Sequence, residues 1–215
     1  MELGPQIEQR LLRWKTKLMG RHRHEDLIKM VQSCLNPFGV KIKKQHDLSL
    51  DWQSVAVSGL FDSQIQRRNI TVFLYFSWGS EWFRITEKNW PELRFQLSQC
   101  LQHELIHRRQ ASYRQHLDNE YALYYDVKSS NSLDKQTMDY LAELDEIEAY
   151  AHDIAMEIRE FYPNADPYKV LRTVGRRKKL WSWIYYQRSF KHSEDWTKVR
   201  RRLLKKTYQW LPHIA

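Results

Sequence analysis

Between Ile7 and Leu35 apolar residues recur at intervals of three and four: Leu11, Trp14 and Leu18, then, after "GRHRH", Leu27, Met30, Val31 and Cys34. This is the period of a helix with one buried face. "NPFG" at residues 36–39 ends it, because proline cannot continue a helix and glycine permits a turn. The period then falls to two. "SVAVSGLF" (54–61) and "NITVFLYFSW" (69–78) are β-branched and aromatic and predict two neighbouring strands, and "EWFRIT" (81–86) predicts a third. In "EKNWPELRFQLSQCLQHELIHRRQ", Asn89 sits in the capping region and Pro91 in the first turn, which predicts a helix from about residue 90 to about residue 109. Residues 111–132 are polar and tyrosine-rich without a clean period and predict a long loop. Leu141, Leu144, Ile147, Ala151, Ile154 and Ile158 then mark one long helix from about residue 134 to residue 161. The expected class is α+β.

Charge alters this picture at one end. Of 35 Lys/Arg and 26 Asp/Glu in 215 residues, thirteen basic residues and only two acids, Glu194 and Asp195, fall from Arg172 onward. The first 171 residues are close to neutral. We therefore expect a domain over residues 1–171 and a basic, aromatic C-terminal extension over residues 172–215 that faces a polyanion. Two cysteines, Cys34 and Cys100, are too few for a disulfide framework or a cysteine metal cluster. No stretch approaches the roughly 18 apolar residues of a membrane span, and the charged start does not fit a signal peptide. A cytoplasmic, intracellular location is expected.

The candidate chemistry lies in "HELIH". Four residues along a helix amount to about 40° of rotation and about 6 Å of rise, so His103 and His107 project side by side and can meet one ion. Glu104, one position round, is placed to hold a water and take its proton, as in the HExxH metalloproteases. Leu93, Leu97, Cys100 and Leu101 form the apolar stripe of this helix, and the wheel puts Glu104 near its centre. A carboxylate there is costly unless it has a partner or a task. A catalytic Zn²⁺ asks for a third protein ligand. His116, Asp118, Glu120 and the acidic cluster at residues 143–153 are the candidates, whereas "HRH" at 22–24 reads as a solvated turn.

"HELIH" followed some forty residues later by "EIEA" resembles the gluzincin branch of zincin metallopeptidases. The resemblance implies a zincin-like domain with a small β-sheet, an HExxH helix and a second helix supplying a glutamate. It assigns the metal to His103, His107 and Glu146, the small residue of the second motif to Ala149, and general acid–base work to Glu104. Tyr150 stands where the family carries a further acid, so the partner of a ligating histidine is left to Asp145, Asp153 or His152. The wheel of the second helix favours Glu148 instead, which lies nearer its apolar face. Tyr150 and His152 are also candidates either for holding an oxyanion or for plain packing. "HELIHRRQ" with "DEIEAYAHDIA" further resembles small proteins of tailed phages.

The expected activity is zinc-dependent hydrolysis of a protein or peptide, with the extended substrate along an edge strand at residues 69–77. The alternative is a nucleic-acid-associated or virion assembly protein whose zinc is structural. The SprT-like proteins join HExxH to recruitment by DNA, but through a third histidine. In the tail, Lys/Arg alternate with Trp181, Trp183, Tyr185, Tyr186, Trp196, Tyr208 and Trp210, a composition suited to phosphates and exposed bases. The competing reading has the tryptophans dock an amphipathic helix (Val199, Leu203, Leu204, Tyr208, Leu211) on the domain, or its basic face meet an acidic protein or anionic membrane surface.

Overall fold

Residues 3–51, 54–64, 69–116 and 133–214 are described by the computed structural model. In chain order they form α1 (Leu3–Leu18), β1 (Gly20–Arg23), α2 (His24–Leu35), β2 (Val40–Asp47), β3 (Val55–Phe61), β4 (Ile70–Ser77), β5 (Trp82–Ile85), α3 (Trp90–His116), α4 (Leu133–Ala142), α5 (Leu144–Phe161), α6 (Pro167–Arg172), α7 (Trp181–Ser189) and α8 (Trp196–Trp210). The class is α+β. Two compact units divide the chain at residue 108, within α3. Among the described residues no helix is long and apolar enough to cross a membrane.

In the first unit the sheet order is β2-β4-β3, with β2 parallel and β3 antiparallel to β4. β4 alternates as a half-buried strand must: Ile70, Val72, Leu74 and Phe76 are buried. They share one core with Ile7, Leu11 and Leu18 of α1, Leu27 and Val31 of α2, and Leu93, Leu97, Leu101 and Leu105 of α3. Residues 69–77 are thus not the edge of the sheet. β4 carries a partner on each side because it is the strand whose every second side chain is apolar, and β2 and β3 are the edges among the described residues. β2 itself was hidden in the sequence, since Val40 and Ile42 are its only buried apolar residues and Lys41, Lys43 and Lys44 face outward.

β1 pairs antiparallel with β5, so "HRH" is a strand and a helix start rather than a solvated turn. Arg21 and Arg23 lie over the Trp82 ring at 4.7 and 5.3 Å, and His22 Nε2 is 2.9 Å from the Leu18 carbonyl. His24 opens α2, buried and stacked at 4.0 Å on Phe76. The start of α3 is tied to β5 through Asn89. Its side chain accepts from the Thr86 N–H at 2.7 Å and donates to the Arg84 carbonyl at 2.9 Å.

The second unit is helical, with α5 at its centre. Three corrections apply. Residues 134–161 are not one helix, because Glu143 is extended (φ −62, ψ 143) and separates α4 from α5. Residues 111–116 continue α3 rather than opening a loop, and residues 117–132 lie outside the described residues. The basic extension is not an appendage either: Trp183, Tyr186, Val199, Leu203 and Leu211 share one core with Leu141, Ile147 and Ile154. The Tyr186 hydroxyl donates to the Leu141 carbonyl at 2.9 Å. At the head of α7 the buried Glu157 carboxylate accepts from the Ser182 N–H at 3.0 Å and its hydroxyl at 2.7 Å, capping one helix from another. Trp183, 2% exposed, cannot stack on a base.

Burial lowers the His24 pKa below its ordinary 6.5. A depressed imidazole binds fewer protons folded than unfolded, so its stabilisation is complete above about pH 6.5 and is lost as pH falls below it. The melting temperature should therefore drop between pH 7.5 and 5.5, and by less in His24→Phe, which keeps the stacking on Phe76. Equal drops in both proteins, read by circular dichroism, would exclude His24 as the cause.

Candidate metal centre

α3 presents its chemistry on two adjoining faces. Leu93, Leu97, Leu101 and Leu105 point into the core of the first unit, and Glu104 enters that side too, only 6% exposed. Its carboxylate lies against β3 at Gly59. A Cβ built on Gly59 would come within 2.5 Å of the Glu104 Oε1 and 2.6 Å of its Cγ. A side chain at residue 59 would require this glutamate to shift. Glycine inside a strand ordinarily weakens it, and a close approach of another group is one of the few reasons for it to be there.

One position back, His103 is buried, and His107 is half-buried a turn later. Their Nε2 atoms are 3.1 Å apart, with rings inclined at 70°. Two nitrogens bound to one tetrahedral Zn²⁺ stand roughly 3.3 Å apart, so this pair already has the spacing of two ligands. Arg108, next in the chain, donates to the Phe38 carbonyl at 3.1 Å, and burial lowers its pKa.

Further along α3, Gln110 and Arg114 follow His103 and His107 on the same helix face, at the +7 and +11 positions. Gln110 donates to the Asp145 carbonyl at 3.3 Å, and Arg114 pairs with the Asp145 carboxylate. Asp145 opens α5, and the next residue is Glu146, 3% exposed. Among the described residues one group has the composition and spacing to hold a metal ion: His103, His107 and Glu146, whose candidate ligand atoms lie within 4.8 Å of one another. Two imidazoles and one carboxylate are the donor set of a His₂Glu zinc site, and they fit that ion chemically.

The other candidates fall elsewhere. Glu148 is paired with Lys206 of α8. His116 is the last residue of α3, and Asp118 and Glu120 lie outside the described residues. His152 is buried edge-on to Trp210 at 4.9 Å, and Tyr150 packs between Tyr185 and Tyr186. Burial, reinforced by the Glu146 charge, raises the pKa of the half-exposed Tyr185 hydroxyl. Burial, then Tyr150, Glu146 and Asp153, do the same to Tyr186. The Glu146 charge thus acts on Tyr185 and Tyr186 of α7, and Tyr185 is a neighbour that no motif announced. Gly59 had a signal, glycine in a strand pattern, but nothing in the sequence links it to residue 104.

Gly59→Ala should lower stability because the Glu104 side chain must move, and Glu104→Ala should remove that obstacle. The two substitutions are expected to couple by about 0.5 to 3 kcal/mol in a double-mutant cycle measured by denaturant unfolding. Strict additivity would show that the two residues do not meet. In comparison with known proteins the chain matches no family model, no curated protein and no solved structure, so a functional reading rests on this geometry alone.

Proposed function

We propose that the chain is a zinc-dependent peptidase in which His103, His107 and Glu146 hold the metal and Glu104 moves the proton. The observation that carries this reading is the pair of imidazole nitrogens at 3.1 Å beside a buried glutamate seated on a glycine. Zinc in that position would supply Lewis acidity, polarising a carbonyl and making a bound water acidic near neutral pH. Glu104 takes a proton from the attacking water, which forms the new C–O bond, and returns it to the amine as the C–N bond breaks. The extended substrate lies along β3 rather than β4. β3 is an edge among the described strands, and Gly59 on it already lies against Glu104.

Purified protein should carry about one Zn²⁺ per chain by elemental analysis. His103→Ala, His107→Ala and Glu146→Gln should each lower that content sharply, and Glu148→Gln should not. Stoichiometric zinc retained in the histidine variants would remove the site.

Glu104→Gln should keep the metal and slow cleavage of a proteome-derived peptide library by about 10²- to 10⁴-fold, the usual contribution of a general base. Full activity in this variant would exclude the assigned role. Zinc without cleavage in the wild type would make the centre structural.

A further inference from the structure

Six of the thirteen basic residues from Arg172 onward lie on α8, which contains no acidic residue. Val199, Leu203 and Thr207 of this helix are buried. Lys198, Arg201, Arg202 and Lys205, at the i, i+3, i+4 and i+7 positions, are all exposed on the opposite face. Lys206, which turns toward the protein, pairs with Glu148. The four outer cations are in none of the ion pairs found among the described residues. Tyr208 continues the outer face and rests at 5.0 Å on Tyr168 of α6, and the following turn of α6 carries the exposed Arg172.

We propose that this face binds the phosphate backbone of a nucleic acid, with little preference for sequence. A helix that lies in a membrane surface must bury its apolar side in lipid, and the apolar side of α8 is already spent in the core of the second unit. What remains is a rigid row of cations about 10 Å long. A nucleic acid offers a phosphate every few ångströms along each strand, so such a row finds partners in any register. Guanidinium groups at Arg201 and Arg202 add two-pronged contacts to phosphate oxygens. Trp183 and Tyr186 of α7 are core residues and take no part, whereas Trp181 and Tyr185 of that helix are exposed. The cations of α8 make the main contribution electrostatic.

The test is fluorescence anisotropy of a labelled mixed-sequence 20-nucleotide single strand, and of its duplex, titrated with the full-length protein between about 50 and 200 mM salt. A quadruple variant, Lys198→Gln, Arg201→Gln, Arg202→Gln and Lys205→Gln, is compared with the wild type. All four positions are exposed, so the variant should keep its circular dichroism spectrum and melting transition. Each phosphate contact contributes a slope of roughly −0.7 in log affinity against log salt on a single strand. Losing four contacts should flatten the slope by about 3, so that over this fourfold range the wild type weakens by about 50-fold more than the variant. Absence of binding at the lowest salt, or an unchanged slope in a folded variant, would overturn the proposal. Binding of phosphatidylserine vesicles that depends on these four residues while the oligonucleotide is ignored would overturn it in favour of a membrane surface. None of these outcomes depends on whether the metal centre hydrolyses peptides.

Discussion

Burying a carboxylate is the constraint around which the first unit is arranged. An ionised side chain taken out of water loses several kcal/mol of hydration, and the protein has either to return that energy through partners or to use the group. Glu104 sits among the leucines of α3 and against the backbone of β3. That seat exists because residue 59 has no side chain and because β3 is held in register by β4, residue against residue from Val55–Phe76 to Phe61–Ile70. A sheet slipped by one residue would turn a side chain toward the same carboxylate. The alternating core of β4 therefore bears directly on the chemistry of α3.

The second unit meets the same difficulty with a different solution. α5 is buried on nearly every side and still carries Glu146, His152, Asp153 and Glu157. Glu157 is satisfied by the head of α7, where a backbone N–H and a hydroxyl of Ser182 point at it. The positive end of a helix favours such a charge. Arg159, two residues further along α5, donates to the Leu211 carbonyl at 3.0 Å, so the chain beyond α8 is also fastened to α5 by a side-chain-to-backbone bond. Replacing this polar interior by apolar residues would leave the ends of α7 and α8 without partners.

How much of this the sequence disclosed depends on how local the signal was. The HELIH spacing needed only the geometry of one helix, and the misfit of Glu104 in an apolar stripe could be seen on a wheel. Asn89 and Pro91 marked the start of α3 for the same reason. Glu146 was harder, because a wheel assumes one buried face and α5 has several, so the apolar stripe pointed to Glu148, which ends in an ion pair with Lys206. β2 has two buried apolar residues in eight and gives almost no period. The break at Glu143 carries no proline or glycine, and the helical pattern runs through it unaltered. Gly59 acquires meaning only from a residue 45 positions away. The errors share one physical cause: contacts between elements decide them, and periodicity reports only on the element itself.

The tail shows what periodicity can separate once an element is placed. Docking and polyanion binding looked like rival explanations of residues 172–215 because the aromatic and basic residues alternate so closely. On α8 they are not rivals. Trp196, Val199, Leu203, Thr207 and Trp210 fall within one half of the helix circumference, while Lys198, Arg201, Arg202 and Lys205 fall in the other. Burial of the first set fixes the orientation of the second, so the cations stand in a row without any contact needed to hold them there. A preformed row loses less side-chain and backbone freedom on meeting a partner than a disordered basic segment would. The hydrophobic interior thus serves the charged surface: by docking α8, the core of the second unit turns Lys198, Arg201, Arg202 and Lys205 into a face with a direction.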